Sequence, residues 1–402
     1  MTAGKMTMFY RKLRQPAEYT RYLIKLTALL VLAWGIAACD VPAQGALSQN
    51  DSPALASDDV IAILDENAPR ERIVQAATKS GYRLLDTTPL PALDKVLLTF
   101  ALPPSVTGQD AIRFLEAVEP AATVGVNHAY RLQVDARRVD PLNYAQAMMQ
   151  WPANGCRARM PVGVIDTAID PQAPGVRGAR VVSRSFGGTE GQARQHGTDI
   201  ASILAHPDRL QGLTIYNASV MTQRPNGDLV AGADALILAL EWMASQNVRV
   251  INMSLAGPFN KILAIAVDAA AARGLILVAS VGNSGANAAP AYPAAFDPVI
   301  AATAVDADGQ IYRRAVRGSF VDVAAPGVDI FVPSADGGRF VTGTSFAAAF
   351  VTARIAADPR GQTATSSAAV RDLLVNSASD LGPMGVDRTF GAGLLKAPQD
   401  CR

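Results

Sequence analysis

Cysteine and histidine are scarce in this 402-residue chain, three of each, and its charges nearly cancel, with 36 Lys and Arg against 35 Asp and Glu. A net charge of +1 leaves no electrostatic footprint for nucleic acid or for an acidic partner surface. No metal-ligand cluster stands out, so no catalytic metal or other cofactor is expected. The glycine-rich stretch Gly282-Asn283-Ser284-Gly285 lacks G-x-G-x-x-G spacing, which argues against a dinucleotide-binding fold. No serine sits in G-x-S-x-G, the nucleophile elbow of α/β-hydrolases. The apolar run at residues 26–38 is too short for a dedicated membrane-spanning helix.

With so few histidines, the search for a general base is short. His128 lies in an N-terminal module and His206 in a loop-like His-Pro-Asp, whereas His196 precedes Gly-Thr and a helix predicted at residues 199–205. Asp166 ends the apolar run 162–165, which reads as a buried parallel strand. A carboxylate at the C-terminal end of such a strand sits where open α/β sheets place their chemistry. Ser345 is entered through Gly343-Thr344 and opens an alanine-rich stretch, 347–357, that reads as a buried helix. A serine hydroxyl needs an adjacent base, and the base needs a third group to hold its tautomer. At the start of a helix, Ser345 also gains from the dipole, and its own backbone N–H can donate to a developing oxyanion. Asn283, directly after a strand predicted at 275–280, supplies a side-chain amide for the same purpose.

Asp166, His196 and Ser345 occur in the chain order Asp, His, Ser, the order of subtilisin. At these residues the chain resembles the subtilisin-like serine peptidases, over about 250 residues from 151 to 398. The resemblance implies an acyl-enzyme mechanism on a polypeptide substrate, with Asn283 as the oxyanion asparagine. It implies that Ser254, Leu255, Ala256 and Gly257 form a substrate-binding strand whose main chain pairs with an extended peptide. Some relatives hold structural calcium, for which no signature can be placed here. Three positions depart from the family pattern: Asp199 where a second histidine is usual, Ala168 for a glycine, and Ala349 for a proline. A carboxylate at 199, one turn from His196, can raise the imidazole pKa or compete with Asp166. The alternative to a serine endopeptidase is a catalytically silent relative that binds peptides or acts as a scaffold. Retention of Asp166, His196, Asn283 and Ser345 together favours activity.

Elsewhere the pattern is α/β. Helices predicted at 233–246 and 261–273 alternate with strands at 248–253, 275–280, 299–305 and 320–324, which implies a parallel sheet flanked by helices over residues 151–402. Residues 58–134 read as a smaller βαββαβ, ferredoxin-like α+β domain, with strands at 60–64, 82–86, 96–101 and 123–132 and helices at 69–80 and 109–118. In precursors of the family such a module plugs the cleft, so it is an expected partner in cis. Residues 135–150 form a charged connector.

Residues 1–39 read as a secretory leader, with basic residues before the apolar run. Ile36-Ala37-Ala38-Cys39 resembles a bacterial lipobox, which makes Cys39 the lipidation site and 40–57 a tether. The expected location is the bacterial envelope, facing periplasm or exterior, or else the medium. Secretion and their places at the two ends of the larger domain suggest a disulfide between Cys156 and Cys401.

Overall fold

The computed structural model describes residues 55–132, 135–137, 144–187 and 194–401. The expected leader, Cys39 and most of the tether lie outside the described residues, as do 133–134 and 138–143 of the region joining the two domains.

The N-terminal module runs β1 (Leu55–Asp65), α1 (Glu71–Lys79), β2 (Arg83–Leu90), β3 (Lys95–Ala101), α2 (Gly108–Val118) and β4 (Thr123–Leu132). Its antiparallel sheet has the order β4-β1-β3-β2, the split βαβ arrangement. Strand alternation explains how it sits. Val60, Ala62 and Leu64 of β1, with Leu98 and Phe100 of β3, join Ile73, Leu115 and Val124 in the module's own core. The opposite-facing Ile61, Ile63 and Leu97 belong instead to the large core of the following domain. One sheet is therefore buried on both faces.

Next come β5 (Asp135–Arg137) and α3 (Tyr144–Met148), then the larger domain. It contains β6 (Cys156–Arg157), β7 (Val162–Asp166), β8 (Arg180–Ser185), α4 (Gln195–Leu204), β9 (Leu210–Gln211) and β10 (Thr214–Ser219). These are followed by β11 (Thr222–Gln223), β12 (Leu229–Gly232), α5 (Ala233–Ser245), β13 (Val250–Met253), β14 (Leu255–Ala256) and α6 (Lys261–Ala272). The chain continues through β15 (Ile276–Ser280), β16 (Val299–Val305), β17 (Val323–Pro326), β18 (Ile330–Val332), β19 (Arg339–Thr342) and α7 (Thr344–Ala357). It closes with α8 (Pro359–Thr363), α9 (Ser367–Val375), β20 (Ala378–Ser379) and β21 (Leu394–Leu395).

The central sheet has nine strands in the order β20-β21-β17-β16-β15-β13-β7-β10-β8, all parallel except the β20–β21 pair. Strands β7, β13, β15, β16 and β17 are buried at every residue, which is why they read as continuous apolar runs. Helix α7 packs against β13, β15, β16 and β17 and is buried at all 14 of its residues. Its one charged residue, Arg354, is held by Asp358 Oδ2 at 2.6 Å and by the Lys396 carbonyl at 2.6 Å.

The strand predicted at 320–324 lies later in the chain. Val321 N–H donates to Gly318 O at 3.2 Å, closing a turn, and pairing with β16 begins only at Val323 opposite Ala302.

Cys156 and Cys401 are disulfide-bonded, with Cα atoms 5.1 Å apart and a sequence separation of 245. Both are buried, and Arg157 N–H donates to Cys401 O, so the bond ties the start of the domain to its end. Closing so long a loop contributes about 5 kcal/mol in the chain-entropy model. Non-reducing peptide mapping is expected to recover the linked pair, and Cys156→Ala/Cys401→Ala to lower the urea midpoint of unfolding. Two free thiols, or an unchanged midpoint, would contradict this.

Candidate active site

Strand β7 brings Asp166 to the C-terminal edge of the sheet, fully buried. Its Oδ1 accepts from Thr167 N–H at 2.7 Å, and its two oxygens lie 2.7 and 2.9 Å from His196 Nδ1. An ionised carboxylate only accepts, so Nδ1 carries the hydrogen and Nε2 keeps its lone pair. Nε2 is buried and has no hydrogen-bond partner among the described residues.

The helix predicted at 199–205 starts earlier, at Gln195, so His196 lies within its first turn. No side-chain cap marks that start. Tertiary contact sets it instead: Gly197 N–H donates to Thr167 Oγ1 at 2.8 Å. A Cβ at Gly197 would stand 2.6 Å from Thr167 O and 2.9 Å from Thr167 Oγ1, so only glycine lets α4 approach the end of β7 this closely. On the other side Asn217 of β10 holds the same loop, donating to Thr167 O (3.0 Å) and accepting from Ile169 N–H (3.1 Å).

Ser345 lies in the first turn of α7, which begins at Thr344 rather than at 347. Its Oγ donates to Ser254 O at 3.2 Å, while Ser254 Oγ donates to Ser345 O at 2.9 Å and accepts from Asn252 Nδ2 at 2.8 Å. Asn252 Oδ1 in turn accepts from Thr352 Oγ1 at 3.2 Å, tying β13 to α7. The His196 ring rests 5.7 Å from that of Phe346, the residue after Ser345, which brings the first turns of α4 and α7 together. Proton transfer requires the Ser345 hydroxyl to turn from Ser254 O toward Nε2. Catalytic hydrogen bonds are commonly completed only when substrate binds.

Asn283 follows β15. Its Oδ1 accepts from Thr344 N–H (3.1 Å) and from Thr344 Oγ1 (2.8 Å), and Gly282 N–H donates to the same hydroxyl (3.2 Å). Two donors on the amide oxygen fix the flip of the side chain and make Nδ2 the group presented on its other side. Thr344 thus links the segment carrying Ser345 to the candidate oxyanion donor.

Leu255 and Ala256 form β14, next to Ser254. Gly257 donates to and accepts from Tyr292 (2.8 and 2.9 Å), so its main chain anchors the strand instead of offering a free edge. Strand β4 pairs antiparallel with β14 through Leu132↔Leu255 and Arg131↔Ala256. Its other edge pairs with β12 through Tyr130↔Ala231 and Ala129↔Gly232. Strand β5 pairs with β19 through Asp135↔Thr342, Ala136↔Val341 and Arg137↔Phe340, and β19 leads into Ser345.

Among the departures, Ala349 is buried inside an unbroken α7 and Ala168 O accepts from Thr167 Oγ1 at 3.2 Å. Asp199 is buried, and Arg339 donates to its Oδ2. Burial pushes the Asp199 carboxyl up to about 6, against the opposing pull of Arg339 and His196. Thr167, Asn217, Asn252, Thr344, Thr352 and Arg339 escape sequence reading as site residues because each works through a partner distant in sequence. Only Thr344, inside the Gly-Thr-Ser step, carries a local signal. Among the described residues no three His, Cys, Asp or Glu side chains are grouped to hold a metal ion.

Comparison with known proteins agrees with this arrangement. The Subtilase family matches residues 158–393. Subtilisin DY of Bacillus licheniformis is 32% identical over 254 residues, 59% of this chain and 89% of that protein. The minor extracellular protease Epr of Bacillus subtilis (strain 168) is 28% identical over 268 residues, 64% of this chain but 40% of that longer protein. Fervidolysin from Fervidobacterium pennivorans, described as a keratinolytic enzyme related to subtilisin, superimposes with a TM-score of 0.68 at 20% identity, covering 85% of this chain and 60% of that one. By sequence and by fold, the chain belongs to the subtilase family and is a serine endopeptidase.

Proposed function

We propose that this endopeptidase cleaves peptide bonds through an acyl-enzyme on Ser345, with His196 as general base and Asp166 as its orienting acid. The observation that carries the reading is the contact of His196 Nδ1 with both Asp166 oxygens, which leaves the Nε2 lone pair to act as the base toward Ser345. Ser345 Oγ attacks the substrate carbonyl carbon while Nε2 takes its proton. Charge then builds on the carbonyl oxygen, where Asn283 Nδ2 and the Ser345 N–H, at the positive end of α7, donate to it. His196 passes its proton to the leaving amine, and water repeats the sequence on the acyl group. Among the described residues a fluorophosphonate is expected to label Ser345, and Ser345→Ala or His196→Ala each to abolish labelling and casein cleavage. Asn283→Ala should lower kcat ~100- to 1000-fold, a magnitude that comes from this same family. An adduct on another serine, or an active Ser345→Ala enzyme, would refute the assignment.

The N-terminal module is proposed to occupy the cleft in cis. Supporting this, β4 lies as the middle strand between β12 and β14, the position an extended substrate takes by strand addition. Polar contacts reinforce the docking. Asn127 Oδ1 accepts from Asp234 N–H (3.2 Å) at the start of α5, and Asn260, which caps α6, donates to Val126 O (2.8 Å). Glu116 pairs with Lys261, and Glu241 Oε1 accepts from Ala92 N–H (2.8 Å). Pairing with β14 ends at Leu132 and pairing with β19 begins at Asp135, so the interval 132–135 is where the proposal puts a self-cut. Intact protein is expected to be much less active than protein nicked between Leu132 and Trp151, with purified Ser345→Ala staying whole. A fully active, uncut chain would leave the module a permanent accessory domain.

Anchoring at the envelope through lipid on Cys39 is proposed from the basic residues, the apolar run and Ile36-Ala37-Ala38-Cys39. Cys39→Ser is expected to move the protein to the soluble fraction or to leave an unprocessed precursor. Unchanged membrane attachment in that variant would count against lipidation.

A further inference from the structure

The carboxylate of Asp199 lies one helical turn beyond His196, in a family position where a histidine is usual, and the proposed chemistry gives it no task. Its surroundings define one. Arg339 donates to Asp199 Oδ2. With the Gln195 amide turned so that its oxygen faces the guanidinium, Gln195 Oε1 accepts from Arg339 Nε at 2.9 Å and Nη2 at 2.8 Å. Gln195 immediately precedes His196 and Asp199 follows it by one turn. A single planar guanidinium therefore grips the first turn of α4 on both sides of the base.

Arg339 is also the first residue of β19, paired with Val332 of β18, and β19 runs directly into Gly343 and Ser345. The fork thus joins the helix that carries the base to the strand that delivers the nucleophile. We propose that Gln195, Asp199 and Arg339 form a positioning unit that fixes His196 relative to Ser345 and balances the charge around the imidazole. The proposal rests on the triad reading above.

The charge balance can be followed group by group. Facing Asp199 are Arg339 from β19, His196 from its own helix and Asp166 from β7. Strand β18, which also packs on α4, carries no ionisable side chain. The ionisable side chain of α7, Arg354, is engaged by Asp358 toward that helix's other end. Asp199 is consequently not a rival to Asp166, because Arg339 engages its carboxylate while both Asp166 oxygens hold Nδ1. Two carboxylates and one guanidinium leave one negative charge around a neutral imidazole, which becomes electroneutral when His196 accepts the serine proton. Asp199→Asn leaves Arg339 without its counter-charge beside His196 and disfavours the imidazolium. With Asp199 already replaced by Asn, Arg339→Gln removes a repelling cation and favours it; in the parent chain the same change also lets buried Asp199 take up a proton, since Arg339 opposes the burial that raises its carboxyl.

These opposite signs separate positioning from a merely structural role, since a packing defect has no reason to reverse sign between the two partners. The chain has three histidines, so 15N-histidine labelling of the full-length Ser345→Ala protein yields three imidazole signal sets, assigned by His128→Gln and His206→Gln. In that background Asp199→Asn is expected to move the His196 titration midpoint down by about one pH unit, and Arg339→Gln added to Asp199→Asn to move it back up. Arg339→Lys, which keeps the charge but loses the fork, is expected to hold the midpoint near that of the parent while the Nδ1–H signal broadens. Midpoints that stay fixed, or that move in the same direction in both steps, would overturn the proposal. If a single variant fails to fold, the comparison of Arg339→Lys with the parent decides, a shifted midpoint counting against it. Failure of the triad reading has a different signature: no Nδ1–H signal perturbed by Asp166→Asn, and no fluorophosphonate adduct at Ser345 in the chain with serine restored.

Discussion

Helix α7 enters the catalytic region completely dry, and the polar groups of its first turn must therefore be answered by protein. An unmatched buried donor or acceptor costs about 1–3 kcal/mol, so the answering groups are as constrained as the reacting ones. Thr344 N–H and Oγ1 are met by Asn283 Oδ1, Ser345 O by Ser254 Oγ, and Gly343 N–H by Gly327 O at 2.8 Å. Each contact recruits a different stretch: the end of β15, the residue before β14, the turn after β17. Satisfying one helix end thus gathers Ser345, Asn283 and Ser254, to which the proposed function gives the roles of nucleophile, oxyanion amide and peptide-binding edge, at one point. Chemistry and folding share the same hydrogen bonds, and Thr344, which reacts with nothing, becomes as restricted as its neighbour.

The approach of α4 follows the same logic with a steric condition. Gly197 permits contact with Thr167, and that contact, with Asn217 behind the loop, sets the depth at which His196 meets Asp166. A larger residue would hold the helix away, and a hydrogen bond of 2.7 Å has little tolerance for displacement. The imidazole is consequently oriented by the close packing of α4 on the Thr167 loop, with the carboxylate completing what the glycine allows.

Much of this was legible in the residues themselves. Buried strands such as β13, β15 and β16 announce themselves as continuous apolar runs, and the module's two-fold alternation, Ile61 and Ile63 against Val60, Ala62 and Leu64, follows from strand geometry. Helix starts were less legible. Helix α4 begins at Gln195 and α7 at Thr344 without side-chain caps, because tertiary partners take the place that capping residues fill in an isolated helix. The apolar stretch from Phe320 likewise read as strand although Gly318 turns the chain there, a case of turn chemistry prevailing over hydrophobic pattern. The long-range polar partners, Asn252 with Thr352 across 100 residues and Asp199 with Arg339 across 140, leave no local spacing to detect.

The placement of β4 connects the two domains to a single physical economy. Main-chain pairing on both edges, through Ala231 and Gly232 on one side and Leu255 and Ala256 on the other, satisfies backbone groups regardless of side chain. If β4 takes the place of a substrate as proposed, its covalent attachment holds it there at an effective concentration no free peptide matches. The module's sheet adds apolar burial through Ile61, Ile63 and Leu97 against the larger core. Docking is consequently spread over an apolar face, capped helix ends and the pairing of β4, while any cut between the β14 and β19 pairings severs only the covalent continuation of the last of these. The apolar face and the caps persist after such a cut, so loss of the covalent link and loss of the module are separate events, each with its own energy.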